Sequence, residues 1–109
     1  MRKLTVDVIE FHPLHRNTLR GFCTVYIGEM HLTIHDIGVH QHASGARWVA
    51  LPAKPLLESD GTARRDDRGK IAYCPVIEFA DRETRDAFAA RVIAALLEFA
   101  PDAFNGAAA

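Results

Sequence analysis

The sequence holds few of the residues that would commit it to a specialised class. Two cysteines, Cys23 and Cys74, are too few for a disulfide scaffold. They fall in separate expected strands and read as reduced, buried thiols. No apolar run approaches the roughly 20 residues that a membrane-crossing helix needs, so no membrane partner is expected. Met1-Arg2-Lys3 leads directly into alternating sequence rather than a continuous apolar stretch, which makes a cytoplasmic protein the expectation. A formal net charge of −1 does not mark a strong polyanion binder. Catalytic signatures are absent: there is no Gly-x-Ser-x-Gly elbow and no His-Glu-x-x-His. Gly61 to Gly69-Lys70 is too widely spaced for a phosphate loop, and Ile71 stands where a magnesium-binding hydroxyl is required. No catalytic residue, no cofactor and no enzymatic activity are expected.

What is present suits one ordinary globular domain. The chain has 109 residues, 49% hydrophobic and 25% charged, enough to fold alone without much margin. Charge is distributed unevenly. Residues 1–77 carry ten Lys and Arg against eight Asp and Glu, whereas residues 78–109 carry three against six. The first part is mildly basic and the last acidic, an asymmetry that can steer a polyanion weakly toward one face.

Period-two patterning dominates the first half. Residues 3–11 alternate, with Leu4, Val6 and Val8 on one face, and read as a strand. Residues 12–17 hold Pro13 among polar residues and read as a loop. A second strand over 18–28 sets Phe22, Thr24 and Tyr26 opposite Cys23, Val25 and Ile27, and Gly21 within it signals a bulge or a close backbone approach. A third strand over 30–40 places Met30, Leu32 and Ile34 on one face, and its alternation breaks at Asp36-Ile37-Gly38. A fourth spans 46–51 and stops at Pro52. Residues 53–69 lack an apolar period and read as a mobile loop. A fifth strand over 71–79 contains Pro75, which suits an edge.

A helix follows. Asp81 is its N-cap, and Glu83 and Asp86 favour the positive end of its dipole. Phe88, Val92, Leu96 and Phe99 form its apolar stripe, and Pro101 ends it. The expected fold is therefore α+β: an antiparallel, meander-like sheet of about five strands, followed by one C-terminal amphipathic helix packed on it. Residues 1–100 form the single domain and residues 101–109 a short flexible tail.

Two groups of residues could carry chemistry. His35, His40 and His42 offer a metal reading, but a transition metal needs three or four converging ligands and no cysteine pair assists, so no metal site is assigned. The second group is basic and aromatic. Arg16 and Arg20 flank the first connection, Arg47 adjoins Trp48, Lys54 follows Pro52, and Arg64, Arg65, Arg68 and Lys70 fall in the long loop. Cations for phosphates and flat rings for bases are what a single-stranded nucleic acid requires. The same residues also fit a solvated surface and a structural Trp48, and a protein-docking module remains the alternative.

The middle of the chain carries a further pattern: Ile34-His35-Asp36-Ile37-Gly38-Val39, then Trp48-Val49-Ala50-Leu51-Pro52-Ala53-Lys54, then Asp60-Gly61. This run resembles the SpoVG (stage V sporulation protein G) family, in element order over residues 4–99 and in motif over 32–61. The resemblance implies a small sheet-plus-helix regulatory protein, often a homodimer, that binds DNA or RNA. Lys54 matches the family's lysine after its Pro-Ser step, with Ala53 in place of the serine. The acidic helix departs from the family's more basic C-terminal part, so nucleic-acid contact is expected from the sheet and loop. Single-stranded and double-stranded partners both remain open.

Overall fold

The alternating segments form a four-stranded antiparallel sheet in the computed structural model, which describes residues 4–105. The strands are β1 (Val6–Arg16), β2 (Leu19–Ile27), β3 (Leu32–Gln41) and β4 (Arg47–Ala50), paired in chain order. A single 3-10 turn, Gly28–Met30, joins β2 to β3. The helix α1 (Arg82–Phe99) packs on one face, against β1 and β4. The α+β architecture is thus as the patterning implies. Met1–Lys3 and residues 106–109, the end of the expected tail, lie outside the described residues.

Both neighbours of β2 are bulged at the same level. The β1 register shifts between Val8 and Glu10, and the β3 register shifts opposite Thr24, where His35 and Asp36 intervene between Ile34 and Ile37. Each bulge adds one residue and resets the period, so Phe11 packs against the core and Ile37 lies within it. This accounts for the broken alternation at Asp36-Ile37-Gly38. Asp36 takes φ +59°, a left-handed conformation that aspartate tolerates better than most residues.

β1 runs well past residue 11, and His12–Arg16 belongs to the strand rather than to a loop. Pro13 is admitted because β1 is an edge. Its partner is Gly21. A Cβ at Gly21 would stand 2.5 Å from the carbonyl oxygen of His12 and 2.7 Å from the Phe11 ring, so the close approach requires glycine.

The segment after β4 is the largest departure from expectation. It is a hydrogen-bonded arm, and the fifth strand does not join the main sheet. Short strands β5 (Ala53–Pro55) and β6 (Tyr73–Pro75) pair with each other. Between them, bridges Leu57–Ala63 and Arg65–Ile71 close two hairpins. Their common junction is a ring of three backbone hydrogen bonds: Leu56 N–H to Ala72 O at 2.9 Å, Ala72 N–H to Arg64 O at 2.9 Å and Arg64 N–H to Leu56 O at 2.8 Å. Gly61 and Gly69 hold the turns at φ +90° and +80°. Asp60 accepts from Thr62, and Asp66 from the backbone of Arg68 and Lys70. The arm extends the molecule: the radius of gyration is 15.3 Å, against about 13 Å for a compact chain of this length.

Val25, Ile37 and Val39 from the sheet meet Val92 and Leu96 from the helix, all 0% exposed. Asp81 caps the helix by accepting from Thr84 N–H at 2.7 Å, worth about 1 kcal/mol. Cys23 and Cys74 are free thiols, and burial pushes the Cys23 pKa up to about 11. The stripe does not extend to Phe99, which is 51% exposed. After Ala100 the chain turns and returns Ala103 and Phe104 to the core, each 5% exposed, so the domain extends beyond residue 100. Leu96→Ala and Phe104→Ala are expected to cost about 2–5 kcal/mol in urea unfolding. Phe99→Ala, on the same helical stripe, is expected to stay within about 0.5 kcal/mol.

Candidate functional site

One helix covers one face of the sheet and leaves the other to solvent. On that open face the register aligns His12, Phe22, Gly38 and Ala50 across the four strands, and Leu19, His40 and Trp48 in the adjacent row. Phe22 is 36% exposed and Trp48 39%. The imidazole of His40 lies flat on the Trp48 indole, ring centroids 5.2 Å apart and planes 4° from parallel. Its Nδ1 is 3.1 Å from the Thr18 hydroxyl. Burial, and then the nearby Arg20 charge, hold the His40 pKa below its ordinary value, which keeps the stacked imidazole neutral at pH 7.

Gly38 lies between Phe22 and Ala50 without a side chain, and a trough of about 450 Å³ opens over it. Phe22, His40, Ala50, Pro52 and Leu19 wall the trough, and Asp36 stands at its border. The chain therefore presents a concave, ring-lined surface with one carboxylate.

The nine residues singled out from sequence do not form one patch. Arg16 and Arg20 lie at the β1–β2 end, near the His40–Trp48 stack. Arg20 donates to the carbonyls of Asn17 and Leu19, and its Nε is buried with no hydrogen-bond partner. Arg47 is on the opposite face from Trp48, as strand neighbours must be. It donates to Gln41 Oε1 at 2.7 Å and sits 4.1 Å over the Phe104 ring, which makes it part of the helix-side packing. Lys54, Arg64, Arg65, Arg68 and Lys70 are all on the arm. Arg64 pairs with Glu58 at 3.3 Å and Arg65 donates to Gly69 O at 2.8 Å. Among the described residues, the side chains of Lys54, Arg68 and Lys70 make no hydrogen bond or ion pair.

Phe22, His40 and Gly38 were absent from that basic and aromatic set. The outward alternation of Phe22, Thr24 and Tyr26 marks Phe22, but its association with His40 and Trp48 depends on register across three strands. The histidines do not converge. His42 holds the turn through Ser44, and no group of three or more His, Cys, Asp or Glu able to hold a metal occurs among the described residues. No helix there is long and apolar enough to cross a membrane.

A lowered imidazole pKa means that the unfolded chain takes up the proton more readily than the folded one. Stability from this group is therefore full above about pH 6.5 and declines as pH falls toward the folded value. Urea midpoints measured at neutral and mildly acidic pH are expected to fall less in His40→Gln than in the parent; parallel falls would remove His40 as a source.

Compared with protein-family models, curated proteins and solved structures, the chain matches none.

Proposed function

We propose that this chain is a small, non-enzymatic, SpoVG-like nucleic-acid-binding regulator, acting as a cytoplasmic homodimer and holding single strands on its open sheet face. The observation that carries the reading is the ring surface formed by Phe22 and the His40–Trp48 stack, beside Arg16 and Arg20. Sequence-tolerant single-strand binding combines such rings, worth about 1–3 kcal/mol per stacked base, with cations along the backbone path. A helix that reads the major groove must project from the body of the protein. Here α1 has one face buried on the sheet, with Asp81, Glu83 and Asp86 at its start. That favours single strands over duplex. Lys54, Arg68 and Lys70 on the arm supply further phosphate contacts under this reading, and Lys54 is the residue that the SpoVG resemblance singles out.

A specific observation favours protein docking as the second reading. A groove of about 320 Å³ runs between Val49–Leu51, Ile77–Phe79 and Phe88. Val76 and Ile77, 62% and 44% exposed, adjoin it. A partner recovered in stoichiometric amount, with no oligonucleotide bound, would decide for that alternative.

Fluorescence anisotropy with labelled single- and double-stranded DNA and RNA is expected to show salt-sensitive binding that prefers single strands. Trp48→Ala is expected to weaken it about tenfold without altering the salt slope. Lys54→Ala combined with Arg68→Ala is expected to lower the slope by roughly 0.7 per lost contact. Absence of binding even at low salt overturns the proposal. Sedimentation equilibrium is expected to give twice the chain mass; a monomer at all accessible concentrations removes the homodimer.

A further inference from the structure

We infer that the trough over Gly38 is a base pocket selective for guanine, with the Asp36 carboxylate as the reading group. The inference rests on the single-strand reading of the open face and adds a base identity to it. Three observations carry it.

The first is shape. About 450 Å³ falls within the roughly 300–1,000 Å³ range of small-molecule sites. The floor exists because residue 38 lacks a side chain. A Cβ there would stand 3.3 Å from His40 Nε2 and 3.7 Å from both Ala50 and Phe22, occupying the space between the walls. The second is the nature of those walls. Phe22 and the neutral His40 offer apolar and π surface to a flat ring, and Trp48 backs the imidazole.

The third is Asp36. It borders the trough, is exposed, and makes no hydrogen bond or ion pair among the described residues. A carboxylate on a phosphate path weakens binding, but at a base edge it selects. It accepts only, through two oxygens side by side. Guanine alone among the standard bases presents two adjacent N–H donors on its Watson–Crick edge, the ring N1–H and the exocyclic N2–H. Cytosine and adenine pair one amino group with a ring acceptor. Uracil and thymine set one N–H between two carbonyls, which repel a carboxylate.

Two measurements test the pocket. Trp48 is the sole tryptophan, so its fluorescence reports the stack directly. GMP is expected to perturb it at about tenfold lower concentration than AMP or UMP. In anisotropy, replacing one central dT of a short oligo(dT) by dG is expected to raise affinity about tenfold. Deoxyinosine, which lacks the N2 amine, is expected to return most of that gain. Asp36→Asn preserves the backbone, since asparagine also tolerates the left-handed region. It is expected to abolish the dG preference while leaving oligo(dT) affinity equal or higher. Gly38→Ala is expected to reduce the nucleotide response, with circular dichroism confirming that both variants fold. Salt-dependent binding of oligo(dT) without a dG preference, or a preference that survives in Asp36→Asn, overturns the pocket and leaves the single-strand reading standing. A selective GMP response without strand binding supports the pocket and overturns the polyanion reading. No response to either overturns both.

Discussion

The contact between Val25, Ile37 and Val39 of the sheet and Val92 and Leu96 of the helix is the one on which the rest depends. It buries five apolar side chains completely, at about 1.5–3 kcal/mol for each. It is also one-sided. An 18-residue helix can shield only one face of a four-stranded sheet. The helix therefore leaves the outward positions of β2, β3 and β4 uncovered, and although Thr24 and Gly38 are buried there, an antiparallel sheet ordinarily places polar residues on such a face. Phe22 and Trp48 occupy such positions instead. Their exposure contributes nothing to the core, and the proposed interaction surface rests on that ring-bearing patch.

The bulges opposite Thr24 link the buried face to the open one. Ile34 and Ile37 are three apart, and without an extra residue one of them would face water. The β3 bulge lets both face the helix, and the residue it leaves over is Asp36, at φ +59° beside the trough. The placement of this carboxylate is thus a by-product of keeping Ile37 in the core. Gly38, the next outward position, then forms the trough floor. Two consecutive features of the open face follow from a packing requirement on the opposite one.

Much of the fold is legible in the sequence because it is written in short-range patterns. Alternation locates the β2 faces residue by residue, the break at Asp36–Gly38 marks the bulge, Gly21 marks a close approach, and Asp81 marks the helix start. The arm is not legible, because a ring of backbone hydrogen bonds joining Leu56, Arg64 and Ala72 leaves no side-chain period to detect. Between Ala53 and Pro75 only Leu56, Ala63, Ile71, Ala72 and Cys74 are partly shielded, too few to produce a pattern. Phe99 and Phe104 exchange roles for a related reason: helical periodicity assigns Phe99 inward, but the turn after Pro101 brings Phe104 to the core. The candidate site is less legible still. Arg47 and Trp48 are adjacent in sequence yet on opposite faces, whereas Phe22, His40 and Trp48, far apart in sequence, share one.

Charge illustrates why composition alone misjudges such a surface. A net charge of −1 describes a molecule 43 × 37 × 23 Å across. Salt screens exposed charges beyond about 8 Å at physiological ionic strength. The carboxylates on the outer side of α1 are separated from the open face by the full thickness of helix and sheet, so they weigh little there. The charges that register brings to this face are Arg16 and Arg20 on one side and Asp36 on the other, with Glu10, 3.1 Å from His12 in the Phe22 row, offsetting the second cation. On a face of that kind, attraction to phosphates is modest. Under the proposed single-strand reading, stacking on Phe22 and Trp48 would supply the larger part of the affinity, and Asp36 would select the base.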